Sequence, residues 1–167
     1  MTEVERIRKL RADGDEAFAA EAKSYVAKIR KAAEDNPEAV GAQIEAAYGC
    51  DSLGTEEDAI GFYDAAWRLG VPAELRKKFI VGYGSTLRNV GRSNESIELL
   101  ESAIAEHPDY PAYRAFLGLA LHELGRSDEG LSRMIEALVS ADTGALEGYE
   151  RALTYYASVL SGDRKAE

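Results

Sequence analysis

The sequence predicts an all-α protein, and three features of the chain support this prediction. Only 4 of the 167 residues are proline, so few positions interrupt a helix. Residues 77–110 align with residues 111–144 without a gap, which indicates a unit that repeats every 34 residues. Near both ends of the chain, apolar residues recur at three- and four-residue intervals, as on one side of an α-helix. The expected fold class is therefore all-α, built from repeated helical units.

The internal alignment defines the expected organisation of the chain. The two segments share 7 identical residues, whereas average residue usage would give about two or three. The identities include the sequence Gly-Arg-Ser at 91–93 and 125–127, followed two positions later by Glu. A more divergent earlier unit aligns if Gly54 is its turn glycine, with extra residues in the connection 70–72. We therefore expect three units, at about 40–73, 77–110 and 111–144.

This pattern resembles the tetratricopeptide repeat family, whose 34-residue unit is a pair of helices with small residues where the helices cross. The family's usual tryptophan near the start of the first helix is absent, and Ile80 and Arg114 stand in its place. The resemblance implies a right-handed α-solenoid of about three helix-turn-helix units with helical caps at both ends. The small residues that match its crossing positions are Gly84, Gly118, Ala103 and Ala137.

Helical caps are expected on both sides of the repeats, because the apolar face of a terminal unit would otherwise contact water. Residues 1–35 are assigned to an N-terminal cap, with a helix over 15–34 and a weaker apolar stripe over 3–12. Residues 145–161 are assigned to a C-terminal capping helix, and residues 162–167 to a frayed tail. The apolar stripe predicted for the last helix consists of Leu146, Tyr149, Leu153, Tyr156 and Leu160.

Each second helix of a unit is preceded by a start signal. Thr55, Ser93 and Ser127 are each followed by acidic residues. Such residues are typical of N-caps, where the hydroxyl accepts a hydrogen bond from a backbone N–H and nearby negative charge favours the helix dipole. We therefore expect these three side chains to cap the helices that follow.

Charge excludes some partners and divides the chain. The net charge of −10 disfavours binding to nucleic acid or to an anionic membrane surface. No segment has the roughly 20 apolar residues of a membrane span, and the first residues lack the apolar stretch of a secretory signal, so a cytoplasmic protein is expected. Residues 1–31 carry net +2 and residues 32–167 net −12. The basic segment could dock on an acidic surface of its own or a second copy, but simple solvation explains it equally well.

The resemblance also implies a binding surface, because the first helices of successive repeats line the concave side of the solenoid. In that interpretation Lys78 and Arg88 bind acidic or carboxylate groups, and Tyr48 and Leu119 make apolar contacts. The predicted groove residues are Ile44, Tyr48, Lys78, Val81, Ser85, Arg88, Asn89, Ala115, Leu119, His122 and Glu123.

No set of residues in the sequence indicates catalysis, a cofactor or a metal. The single cysteine, Cys50, cannot form an intramolecular disulfide and lies among small residues typical of a packed helix. His122 and Glu123 are not followed by the second histidine that a zinc-binding helix requires. We therefore expect a protein that is not an enzyme and that needs no cofactor.

The sequence thus favours a non-enzymatic scaffold that binds an unidentified protein or peptide segment in a concave groove. Two alternatives remain open at this point. One is a chaperone or adaptor of the secretion type, which would hold a client protein. The other is a homo-oligomeric module, such as a homodimer, that assembles through its N-terminal helices.

Overall fold

The fold was analysed in a computed structural model that describes residues 16–146 and 148–163. These residues form eight α-helices and no strand, which confirms the all-α prediction for the described part of the chain. The helices are α1 (Glu16–Asp35), α2 (Val40–Leu53), α3 (Glu56–Leu69), α4 (Ala73–Asn89), α5 (Ser93–Glu106), α6 (Pro111–Glu123), α7 (Ser127–Ala141) and α8 (Glu150–Leu160). The stripe predicted over 3–12 lies outside the described residues. The grouping of the helices into three repeats with two caps stays a prediction.

The chain divides into two compact units, residues 1–86 and residues 87–167. In the first unit, α2 packs against both α1 and α3. Small side chains fill this contact, since Ala46, Ala47, Cys50 and Ala59 are all fully buried. A Cβ atom added to Gly49 would meet the terminal Cδ1 of Ile29 in α1, so the Ile29 side chain would have to move to admit it.

In the second unit, each helix from α5 to α8 packs against the next one along the chain. The crossing of α6 and α7 depends on two glycines that face each other. A Cβ atom added to Gly118 would lie 2.7 Å from the carbonyl oxygen of Gly130, and one added to Gly130 would lie 2.6 Å from that of Gly118. The other predicted crossing residues, Gly84, Ala103 and Ala137, are also buried, which confirms their packing role.

The turns after α2, α4 and α6 contain the predicted glycines, and these glycines have the left-handed conformation. Gly54, Gly91 and Gly125 have φ angles of 74°, 79° and 75°, a region that side-chain-bearing residues rarely adopt. Each of these glycines follows the end of a first helix and permits the chain to reverse within a few residues.

The prediction of hydroxyl N-caps is wrong. Ser93 and Ser127 are the first residues of α5 and α7, and Thr55 precedes α3 but donates its hydroxyl to the carbonyl of Cys50 at 3.0 Å. The residue before each serine is an arginine whose guanidinium binds the glutamate three positions on. Arg92 contacts both carboxylate oxygens of Glu95 at 2.6–2.7 Å, and Arg126 contacts those of Glu129 at 2.6–2.8 Å. These bidentate pairs bridge the first turn of each helix, so the repeated Gly-Arg-Ser-x-Glu sequence encodes an ion pair.

The last helix begins at Glu150, five residues later than the prediction. Gly144 and Gly148 have φ angles of 99° and 92°, and the Asp142 carboxylate accepts hydrogen bonds from the backbone N–H groups of residues 144, 145 and 146. Because Gly148 has a positive φ angle, it interrupts the right-handed helical backbone, and the helix begins two residues later. Of the predicted apolar stripe, Tyr149 and Tyr156 are 69% and 59% exposed, and the residue that α8 buries is Ala157.

Candidate functional site

One part of the predicted binding surface lies on α4 in the first unit. Lys78 is exposed, and Val81 and Ser85 are half-buried one and two helical turns further on. Because these positions follow a spacing of three and four residues, they lie on one side of the helix. Within the described residues, the Lys78 ammonium has no hydrogen bond or ion pair. This side of α4 therefore presents a cation followed by a partly apolar strip.

Residues of α2 contribute unequally to the predicted surface. Ile44 is 4% exposed and belongs to the core, so its side chain offers almost no surface to a partner. Tyr48 is half-buried, and its ring packs edge-on against Tyr63 and tilted against Phe79 at centroid distances of 6.1 and 6.4 Å. We therefore leave Ile44 out of the proposed contact surface and keep Tyr48.

The second unit holds the remaining predicted residues. Arg88 is half-buried, and its Nη2 donates to Oδ1 of the exposed Asn89 at 2.8 Å. On α6, Leu119 is half-buried and Glu123 is exposed. The predicted residues of this unit that complete the set are Ala115, which is half-buried, and His122, which is exposed with Nδ1 at 3.0 Å from the Ser127 hydroxyl.

An aromatic cluster in the first unit was not foreseen from the sequence. Its five rings come from α2, α3 and α4, with neighbouring ring centroids 5.2–6.4 Å apart. Such distances are those of favourable aromatic pairs. The members are Tyr48, Tyr63, Trp67, Phe79 and Tyr83.

The edge of this cluster reaches the protein surface. Trp67 is 40% exposed, stacks on Phe79 and lies 6.0 Å from the Arg76 guanidinium. Deeper in the cluster, the Tyr83 hydroxyl donates to the Asp64 carboxylate at 2.6 Å. The aromatic spacing along α3 and α4 would have been the sequence signal for this contact, because each pair is four residues apart.

A cavity of about 800 Å³ lies between α1 and α3, also in the first unit. Half-buried Phe62 and Leu69 supply apolar lining, and its rim includes the ion pair between Arg30 and Asp58 at 2.8 Å. The charges of Arg30 and Asp58 therefore neutralise each other. No residue of this cavity belongs to the surface that the sequence predicts.

Three features of the described part of the chain bear on a cysteine nucleophile, a metal site and a membrane span. Cys50 is fully buried, and burial raises the pKa of its thiol, which disfavours the nucleophilic thiolate. No group of three or more potential metal ligands occurs among residues 16–146 and 148–163. Within the same residues, no helix is both long enough and apolar enough to cross a membrane.

The comparisons with known proteins agree with the repeat pattern. The sequence profile of the tetratrico peptide repeat matches residues 40–160, which is well over half of the chain. These repeats are non-catalytic and generally mediate protein–protein interactions. None of the curated proteins matches the sequence. Because the profile covers α2 to α8 without interruption, the chain belongs to the tetratricopeptide repeat family.

Proposed function

We propose that the protein is a non-enzymatic interaction scaffold that binds a peptide or protein segment along the exposed side of α4. The observation that carries this proposal is the Lys78 ammonium, which has no hydrogen bond or ion pair within residues 16–146 and 148–163 and is followed on the same side by the half-buried Val81 and Ser85. A cation next to a partly apolar strip fits a segment that carries a carboxylate beside an apolar side chain.

The surrounding structure favours recognition by a preformed surface. The aromatic cluster fixes α4 against α2 and α3, since Phe79 and Tyr63 are fully buried within it. A rigid helix loses little conformational entropy when a partner binds, so more of the contact energy appears as affinity. In the second unit, the half-buried Arg88 and Leu119 offer a charged and an apolar contact of the same kind.

A random peptide library displayed on phage tests the proposal directly. Selection on the intact protein should enrich peptides that contain Asp or Glu, and Lys78→Glu should weaken the binding of the selected peptides at least tenfold, which corresponds to about 1.4 kcal/mol. Lys77→Glu is the matched control, because Lys77 is an exposed lysine about 100° further around the same helix. Selected peptides whose affinity is unchanged by Lys78→Glu and reduced by Lys77→Glu would contradict the proposed surface.

The chaperone alternative makes a different prediction in a related experiment. A client-holding chaperone binds partly unfolded chains, so a denatured test protein should compete with the selected peptides for the intact scaffold. A scaffold that recognises a specific segment should not bind the denatured protein, so the selected peptide should stay bound. Competition measured by fluorescence anisotropy with a labelled selected peptide separates the two functions.

A further inference from the structure

Helix α7 in the second unit carries an exposed apolar stripe, whereas the equivalent residues 34 positions earlier are mostly buried. Leu131, Met134 and Leu138 are 52%, 40% and 52% exposed. The residues that precede them by 34 positions in α5 are Ile97 and Leu100, which are 6% and 0% exposed, and the half-buried Ile104. The three α7 residues, here called the α7 stripe, thus form a helix face of the kind that another helix covers elsewhere in the chain.

The charge around the α7 stripe limits what can cover it. Residues 126–150 contain six acidic and two basic residues, a net charge of −4, and two of the acidic residues, Glu129 and Glu136, are paired with arginines. Asp128 is exposed and lies one turn before Leu131, on the same side of α7. Two α7 stripes packed on each other would bring these carboxylates together, which is unfavourable. The occupant should therefore be basic as well as apolar.

The chain contains a segment with these properties outside its described residues. Residues 1–12 carry four basic and two acidic residues together with Val4, Ile7 and Leu10. In a helix, these three apolar residues would occupy one side over about 9 Å, and the α7 stripe extends about 10 Å. Arg8 and Arg11 would flank that side, where they could meet Asp128. Length, polarity and charge thus agree between the segment and the stripe.

We propose that residues 1–12 of one copy of the chain dock on the α7 stripe of a second copy. This inference goes beyond the proposed peptide binding on α4 and does not depend on it. The contact joins two different surfaces, so each assembled copy still has a free segment or a free stripe at its end. The consequence is head-to-tail association that continues past the dimer as the protein concentration rises.

Light scattering of the full chain at increasing concentration tests whether head-to-tail association occurs. The average mass should rise from the 18.2 kDa of one chain through that of two and three chains. Arg8→Glu with Arg11→Glu should hold the protein at the monomer mass, and Leu131→Lys with Leu138→Lys should do the same. Leu75→Lys is the matched control, since Leu75 is 42% exposed in the first unit, and that variant should associate like the unchanged protein. An unchanged protein that remains monomeric up to millimolar concentration would overturn the proposal.

Mixing the two monomeric variants provides the decisive measurement. The arginine variant retains an intact stripe and the leucine variant an intact segment, so together they should form a heterodimer and nothing larger. Failure to form this heterodimer, with both variants shown to be folded by circular dichroism, would overturn the proposal. A dimer of the arginine variant alone would instead show that two α7 stripes pair, which also contradicts it. High salt should weaken the heterodimer, because charge attraction contributes to the contact.

Discussion

Replacing Gly118 by alanine should destabilise the protein, although alanine is the better helix former. In the interior of a helix, alanine is favoured over glycine by about 1 kcal/mol. At this position the new Cβ would lie 2.7 Å from the Gly130 carbonyl oxygen and 2.9 Å from Cγ of Met134. The methionine side chain can move, but the carbonyl moves only if α7 separates from α6. Overpacking costs about 1–3 kcal/mol, and a clash with a backbone carbonyl belongs to the upper part of this range, so the net loss should be about 1–2 kcal/mol.

A second glycine in the chain provides the opposite case. Gly61 lies inside α3, is exposed, and has no atom within 4 Å of where a Cβ would be. Gly61→Ala should therefore raise the free energy of unfolding by about 0.5–1 kcal/mol, because only the helix propensity changes. Urea denaturation followed by far-ultraviolet circular dichroism measures both variants against the unchanged protein.

The sign of the Gly118→Ala effect decides whether the close crossing is real. A variant as stable as Gly61→Ala would show that α6 and α7 have room for a methyl group, and the packing argument would fail. Gly130→Ala supplies a further check, because it separates the same two helices. The double variant should then lose less stability than the sum of the two single variants, since the second methyl enters a gap that the first has opened.

Three further predictions concern other contacts. The hydrogen bond from Arg126 holds the pKa of Glu129 below the value of 4.5 usual for glutamate, so the pair stabilises the fold above that pH and loses its effect as the pH falls through the lowered pKa. The melting temperatures of Glu129→Gln and of the unchanged protein should therefore converge in acid, and a difference that stays constant with pH would contradict this. Tyr83→Phe removes the donor to Asp64 and should cost about 1–2 kcal/mol, which the fluorescence of the single tryptophan reports during urea unfolding. The buried Cys50 thiol should react with Ellman's reagent at a rate that rises steeply with urea, and immediate reaction of the native protein would show that the thiol is accessible.

Features that repeat within the sequence could be predicted from it. Gly54, Gly91 and Gly125 lie in turns as expected, and the small residues at the predicted crossing positions are buried. Both outcomes depend on backbone geometry that every unit of this kind shares. The sequence is informative here because few residue types tolerate a positive φ angle or a close helix contact.

Features that depend on competition between neighbouring groups could not be predicted. Ser93 and Ser127 have the residue type of an N-cap, but each helix begins one residue earlier than such a cap allows. The arginine before each serine gains a bidentate contact with the glutamate, and no propensity scale weighs that contact against a hydroxyl cap. Ile44 illustrates the same limit, because family position assigns it to a surface whereas packing buries it at 4% exposure.

The length of the last helix explains why the end of the repeats is the least predictable part of the fold. The sequence predicts a capping helix from residue 145, which would extend about 24 Å, whereas α8 has 11 residues and extends about 16 Å. Helix α7 has 15 residues, or about 22 Å, so α8 is too short to cover its whole length. Leu131 and Leu138 have the same apolar character as their counterparts in α5, of which Ile97 is buried and Ile104 is half-buried. Local sequence therefore encodes an apolar face, whereas the exposure of that face depends on the element that packs against it.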